Sequence, residues 1–233
     1  MTPELITFDL DDTLWDVAPV ILNAETALRE WITKEAPRLS SASVEDLSSI
    51  RSHLVDTDPS LRHRISELRR RVLFHALIDA GYTSAEAKDM AESAFQVFLA
   101  ARHEIELYPE AQPTLEVLSN RYRLAVLTNG NADVRRLGLA DYFEFALCAE
   151  ELGVGKPDPR PFEEALRRAN VAKENAIHVG DNPVDDVAGA QAAGMHTIWF
   201  NPSGKPWGTG KKPDKEIARL ADLPEVLSTW ADR

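Results

Sequence analysis

Four short stretches of this 233-residue chain bring together residue types that do polar chemistry. The first is Asp9-Leu10-Asp11-Asp12-Thr13-Leu14. In extended chain the side chains at i and i+2 point the same way, so Asp9 and Asp11 can face one pocket. Two carboxylates held together repel and need a cation, a shared proton or a substrate. Alternatively these acids are solvated and cap a helix starting near Asp16. The second stretch, Thr128-Asn129-Gly130, offers a hydroxyl and backbone N–H groups, a cradle for phosphate or simply a turn. The third, Gly155-Lys156-Pro157-Asp158-Pro159, holds one lysine in a loop stiffened by proline. The last, Val179-Gly180-Asp181-Asn182-Pro183-Val184-Asp185-Asp186, is rich in oxygen. Such a set suits Mg2+, a hard cation, although acids at a helix N-terminus also answer the helix dipole.

These stretches need a scaffold that brings them to one place. Residues 4–9, 123–128, 143–148, 176–180 and 195–200 are short apolar runs and read as strands. Helical patterns lie between them at about 110–120, 131–138, 159–169 and 184–193. Alternation of this kind implies a parallel sheet with helices on both faces, where ligands sit beyond the carboxyl ends of the strands. Residues 16–106 show no strand pattern and read as an all-helical insert. Leu61, Ile65, Leu68, Val72 and Ala76 are expected to form one helical stripe, and Met90, Ala94, Val97 and Ala101 another. Gly81 should end the first helix, and Thr83 with Glu86 should box the start of the second. Residues 201–215 read as a long loop.

Composition narrows the function classes. Twenty-six basic against thirty-eight acidic residues give a net charge of −12, so a nucleic acid is not expected as partner. The single cysteine, Cys148, excludes an intrachain disulfide and suits a reducing compartment. No apolar run approaches the roughly 18 residues of a membrane span. A cytoplasmic protein without membrane contact, a monomer or weak homodimer, is expected.

Taken in order, DLDDT, LTNG, GKP and GDNPVDD resemble the four motifs of the haloacid dehalogenase superfamily of phosphohydrolases. The resemblance covers the whole chain and implies an α/β fold. It has a Rossmann-like parallel sheet core flanked by helices, with an all-helical cap inserted after the first strand. The core would comprise residues 1–15 and 107–233, and the cap 16–106. The resemblance makes Asp9 the nucleophile that forms an aspartyl-phosphate, and Asp11 the general acid and base. Mg2+ would be held by Asp9, Asp181 and the backbone carbonyl of Asp11. Thr128 and the Asn129 amide would bind phosphate oxygens, Lys156 would neutralise charge, Thr13 would brace the first loop, and Asp186 rather than Asp185 would support the site.

The implied activity is hydrolysis of a small phosphorylated metabolite. Asp11 argues for phosphoryl transfer over dehalogenation, because a departing halide needs no proton. FDLDDTLWD, LTNGNADVRRLGLADYFEF and HVGDNPVDDVAGAQAAGMHTIWFNP are similar to bacterial flavin-pathway phosphatases. Those enzymes act on flavin mononucleotide and 5-amino-6-(5-phosphoribitylamino)uracil. Nucleotide and sugar phosphatases, phosphomutases and an inactive binding module are the alternatives. Trp15, next to the first motif, is a candidate to stack on a substrate ring, whereas Phe95, Phe98 and His178 read as packing residues.

Overall fold

The computed structural model describes residues 3–39, 44–208 and 210–230. Residues 40–43 of the expected insert and residue 209 of the expected loop lie outside them. The chain divides into two units, one up to Asp16 and from Glu106 onward, the other Val17–Ile105.

The first unit is built on six parallel strands: β1 (Leu5–Phe8), β2 (Arg123–Thr128), β3 (Phe145–Cys148), β4 (Ala176–Gly180), β5 (His196–Phe200) and β6 (Lys215–Ile217). Their order is β3-β2-β1-β4-β5-β6, so the direction of winding reverses between β1 and β4. That reversal opens a crevice at the carboxyl ends of these two strands. Every residue of β1 and of β4 is buried, as expected for strands covered on both faces. Phe8 pairs with Val126 on one side and Val179 on the other, and the Asp9 N–H continues the ladder to the Val179 carbonyl at 2.9 Å.

The second unit is helical, with α1 (Val17–Glu35), α2 (Val44–Thr57), α3 (Ile65–Asp79) and α4 (Ser84–Ala101). In α1 the buried Val20, Ala24, Leu28 and Ile32 recur every fourth residue and form one face. Thr83 and Glu86 make the expected capping box, and Gly81 turns the chain with φ of +84°. The expected stripes are displaced. Leu61 lies in a 3-10 turn, Pro59–His63, capped by Asp58, and this turn resets the phase before α3 begins. The buried apolar face of α3 is Leu68, Leu73, Ala76 and Leu77, and that of α4 is Ala87, Ala91, Ala94, Phe95, Phe98 and Ala101. Met90 and Val97 are only partly buried. Arg69 and Arg70 lie over the rings of Phe98 and Phe95 and reach Glu25 and Glu92, so they serve the packing of this unit.

The remaining helices, α5 (Ala111–Ser119), α6 (Ala149–Leu152), α7 (Pro159–Ala169), α8 (Gly189–Ala192) and α9 (Leu223–Ser228), belong to the first unit. Three expectations fail here. Residues 131–138 form turns instead of a helix, because Asp133 Oδ1 accepts the Arg135 N–H at 2.9 Å and Gly138 takes φ of +70°. β3 starts at Phe145, two residues later than expected. β6 is an additional strand, whose Lys-Glu-Ile sequence carries too little apolar pattern to be read. It is the short, charged edge of the sheet. The chain leaves the sheet after Leu14 and returns at Tyr108, whose N–H donates to the Leu14 carbonyl at 2.9 Å. No helix among the described residues is long and apolar enough to cross a membrane.

Candidate active site

Each strand next to the crevice ends in one of the four motifs. Asp9 follows β1 and is 7% exposed. The chain then turns tightly, with Thr13 and Leu14 N–H both donating to the Leu10 carbonyl and Asp12 in the left-handed region at φ +60°. This turn brings Trp15 back beside Asp11, and the indole N–H donates to Asp11 Oδ1 at 2.9 Å. Trp15 is fully buried and its polar edge is spent on Asp11. Thr13 is also buried, but its hydroxyl has no hydrogen-bond partner, so Thr13 holds the loop through its backbone N–H instead.

β2 delivers Thr128 and Asn129. The Thr128 hydroxyl accepts the Gly130 N–H at 2.9 Å. The Asn129 side chain grips the lysine loop, accepting the Lys156 N–H at 2.8 Å and donating to the Lys156 carbonyl at 2.9 Å. This grip escaped sequence reasoning, because residues 27 positions apart show no pattern that pairs them. The ammonium of Lys156 is thereby directed between two carboxylates, 2.6 Å from Asp9 Oδ1 and 2.5 Å from Asp186 Oδ1.

β4 delivers Asp181, and a π-helical turn, Pro183–Ala188, delivers Asp186. Asn182 starts that turn by accepting the N–H groups of Val184 and Asp185. The wider π turn rolls Asp186 inward to 1% exposure, while Asp185 stays at the rim, 3.4 Å from the Asn129 amide. Asp186 Oδ2 accepts the Asn182 N–H at 2.9 Å, and Oδ1 also contacts His178 Nε2 at 3.0 Å. Gly180 makes room for this carboxylate, because a Cβ there would overlap it. Trp199 on β5 fixes the Asp181 carbonyl with a 2.7 Å hydrogen bond. Trp207 packs edge-on against Trp199, with ring centroids 5.0 Å apart.

Carboxylate oxygens of Asp9, Asp181 and Asp186 come within 4.8 Å of one another. Burial pushes the Asp9 carboxyl up to about 8, with Asp186 adding to the rise and Lys156 opposing it. Burial and the nearby Asp186 and Asp12 push Asp181 up to about 7. Asp186 is also buried, but Lys156 and the His178 bond hold it below the usual carboxylate range. Burial would lower the Lys156 pKa, yet Asp186 and Asp9 outweigh it and keep the ammonium charged. Burial lowers His178, against the pull of Asp186. Three carboxylates share one ammonium, so full ionisation leaves two negative charges uncompensated. A divalent cation with oxygen ligands fits that deficit.

A family model described as haloacid dehalogenase-like hydrolase matches residues 3–194. The chain belongs to this family. Relatives of the hydrolase include the 5-amino-6-(5-phospho-D-ribitylamino)uracil phosphatase YigB of Escherichia coli K12, 35% identical over 95% of either chain. A glyceraldehyde 3-phosphate phosphatase of Methanopyrus kandleri is 31% identical over 97% of either chain. A crystal structure of a 2-haloacid dehalogenase from Pseudomonas syringae pv. tomato DC3000 superimposes with a TM-score of 0.97 at 62% identity, covering 98% of this chain and 100% of that one. The hydrolase is an enzyme of the haloacid dehalogenase-like phosphatase type, working through a cluster of aspartates.

Proposed function

We propose that this hydrolase cleaves small-molecule phosphate monoesters by way of an aspartyl-phosphate on Asp9. The observation that carries the reading is the Lys156 ammonium, fixed between Asp9 and Asp186 beside the carboxylate of Asp181. Asp9 attacks phosphorus with a carboxylate oxygen while the ester P–O bond breaks, and the departing oxygen takes a proton from Asp11. Trp15 donates to Asp11 Oδ1 and so orients the carboxyl group. Asp11 then removes a proton from water, the water oxygen attacks phosphorus, and the bond to Asp9 breaks to release inorganic phosphate. Lys156 and the Thr128 hydroxyl, with the backbone N–H of Asn129, neutralise and orient the phosphoryl oxygens. Asp9, Asp181 and the Asp11 carbonyl would hold Mg2+, which neutralises phosphoryl charge when bound. Asp186 has donors on both oxygens and is the support of Lys156.

The substrate is proposed as a sugar or nucleotide phosphate. The relatives are named for esters as different as ribitylaminouracil phosphate and glyceraldehyde 3-phosphate, and what these share is the phosphoryl group. The 35% identical relative puts ribityl phosphates in the test panel without making the flavin pathway the conclusion. A cytoplasmic monomer or weak homodimer acting on such a metabolite is consistent with the acidic charge and the lone Cys148. The test is phosphate release with Mg2+ from sugar phosphates, nucleoside monophosphates, flavin mononucleotide, ribitylaminouracil phosphate and p-nitrophenyl phosphate. Asp9→Asn and Asp11→Asn serve as controls. Turnover by wild type that both variants lose is the expected result, and near-wild-type turnover by Asp9→Asn overturns the covalent route.

A further inference from the structure

We propose that Thr7 and His178 are positioning residues: they hold Asp186, and through it Lys156, against the reacting carboxylate of Asp9. Only the kinetic part of the test rests on the phosphatase reading.

Thr7 and His178 are register partners on β1 and β4, in the middle of the sheet. Both are at most 1% exposed, in strands whose other residues are almost all apolar. Burying a hydroxyl and an imidazole in that setting is costly unless both find partners. Thr7 Oγ1 lies 2.8 Å from His178 Nδ1, and His178 Nε2 lies 3.0 Å from Asp186 Oδ1. Lys156 Nζ is 2.5 Å from the same Asp186 oxygen and 2.6 Å from Asp9 Oδ1. An unbroken chain of polar contacts therefore runs from the sheet interior to the nucleophile.

The direction of each bond follows from the chemistry of its ends. An ammonium can only donate, and Asp186 Oδ2 already accepts the Asn182 N–H, so Asp186 serves as an acceptor throughout. His178 Nε2 must then donate to it. In a neutral ring Nδ1 is left as acceptor, and the Thr7 hydroxyl donates to it. The Ile177 carbonyl, another acceptor within reach of that hydroxyl, is farther away at 3.4 Å. Phe162 stands edge-on to the imidazole, with centroids 5.1 Å apart and planes at 87°, and limits its tilt. Thr7 thus sets the tautomer, His178 aims Asp186, and Asp186 aims the ammonium. Neither Thr7 nor His178 touches the reacting atoms.

Long-range 1H–15N spectra of the labelled protein, with His178→Gln to assign the ring, test the chain of bonds directly. The expected spectrum shows a proton on Nε2 of His178 and none on Nδ1; an unprotonated Nε2 overturns the proposal. Kinetics with the best monoester provide the second arm. His178→Leu is expected to lower kcat about 10- to 100-fold with KM within about twofold, the range seen when supporting partners of active-site groups are removed. His178→Gln, whose amide N–H reaches toward the place of Nε2, is expected to recover most of that loss. Equal kcat in His178→Leu and wild type, or equal loss in the Leu and Gln variants, overturns the assignment. Should His178→Leu fail to fold, Thr7→Val and Thr7→Ser replace it. The valine is expected to lose kcat and the serine to restore it, and a valine variant as fast as wild type counts against the proposal. If wild type hydrolyses no monoester, the function reading fails and the spectrum alone decides this one.

Discussion

Asn129 and Lys156 exchange two hydrogen bonds, the asparagine amide accepting from and donating to one backbone residue across 27 positions of chain. A side chain here does the work of a strand neighbour and pins the lysine loop to the end of β2. Asn129→Ala removes both bonds. At roughly 0.5–1.5 kcal/mol each, the expected loss of stability is about 1–3 kcal/mol. The urea midpoint should fall accordingly and kcat should fall with it, while Asp185→Asn, at the rim, should change both far less. Unchanged stability in Asn129→Ala would show that the loop is held by other contacts.

Gly180→Ala places a methyl group onto the Asp186 carboxylate. That carboxylate cannot swing aside freely, because Lys156, His178 and Asn182 all donate to it. Overpacking of this kind costs about 1–3 kcal/mol. Chemical unfolding should report a loss in that range, with phosphate release falling at least tenfold. A fully active, fully stable Gly180→Ala enzyme would mean that the carboxylate is not needed where it lies.

Lys156→Met exposes the cost of the buried charges. With the ammonium gone, Asp9 and Asp186 face each other without compensation, and breaking a buried ion pair from one side costs about 3–5 kcal/mol. Both carboxylates are nearly inaccessible to water, with side-chain exposures of 10% and 2%. The variant should unfold at much lower urea and should recover part of the loss at acid pH, where a proton can replace the lysine. Equal destabilisation at pH 5 and pH 8 would contradict this.

Metal removal and pH should act together. Asp9 at about 8 and Asp181 at about 7 lie above the ordinary 3.8, so without metal the folded chain binds protons more tightly than the unfolded one. Their contribution to stability is complete below about pH 4 and is lost as pH rises through 7 to 8. A cation displaces those protons and reverses the loss. The gain in melting temperature from added Mg2+ over EDTA should therefore be larger at pH 8 than at pH 5.5. A gain that is the same at both pH values would rule out Asp9 and Asp181 as the carboxylates that take the ion.

The sequence made the site legible where chemistry-bearing residues directly follow an apolar run. Asp9, Thr128 and Asp181 stand out this way, because the end of a buried strand in a parallel sheet is where ligands gather. The alternation of strands and helices likewise led to the sheet, except for β6, whose lysine and glutamate suit an edge and hide the strand. Helical phase was less legible: the Pro59–His63 turn shifts the face of α3, an effect invisible to a search for fixed spacing. His178 reads as a packing residue in the sequence because its partners are distant, Thr7 by 171 positions and Asp186 across a π turn. The adjacency of Trp15 to the first motif is plain in the sequence, whereas the tight turn that returns its indole to Asp11 is not.

The hydrogen bond from the Tyr108 N–H to the Leu14 carbonyl bears on inheritance as well as on geometry. It joins the two points where the sheet releases the intervening chain and takes it back. Any segment placed there closes a loop whose ends are already neighbours, and the entropic cost of lengthening such a loop grows only with the logarithm of its length. Insertions, deletions or wholesale exchange between these two residues are therefore buffered from the strands that carry the aspartates. The helical insert and the strands of the sheet can thus diverge at separate rates within one gene.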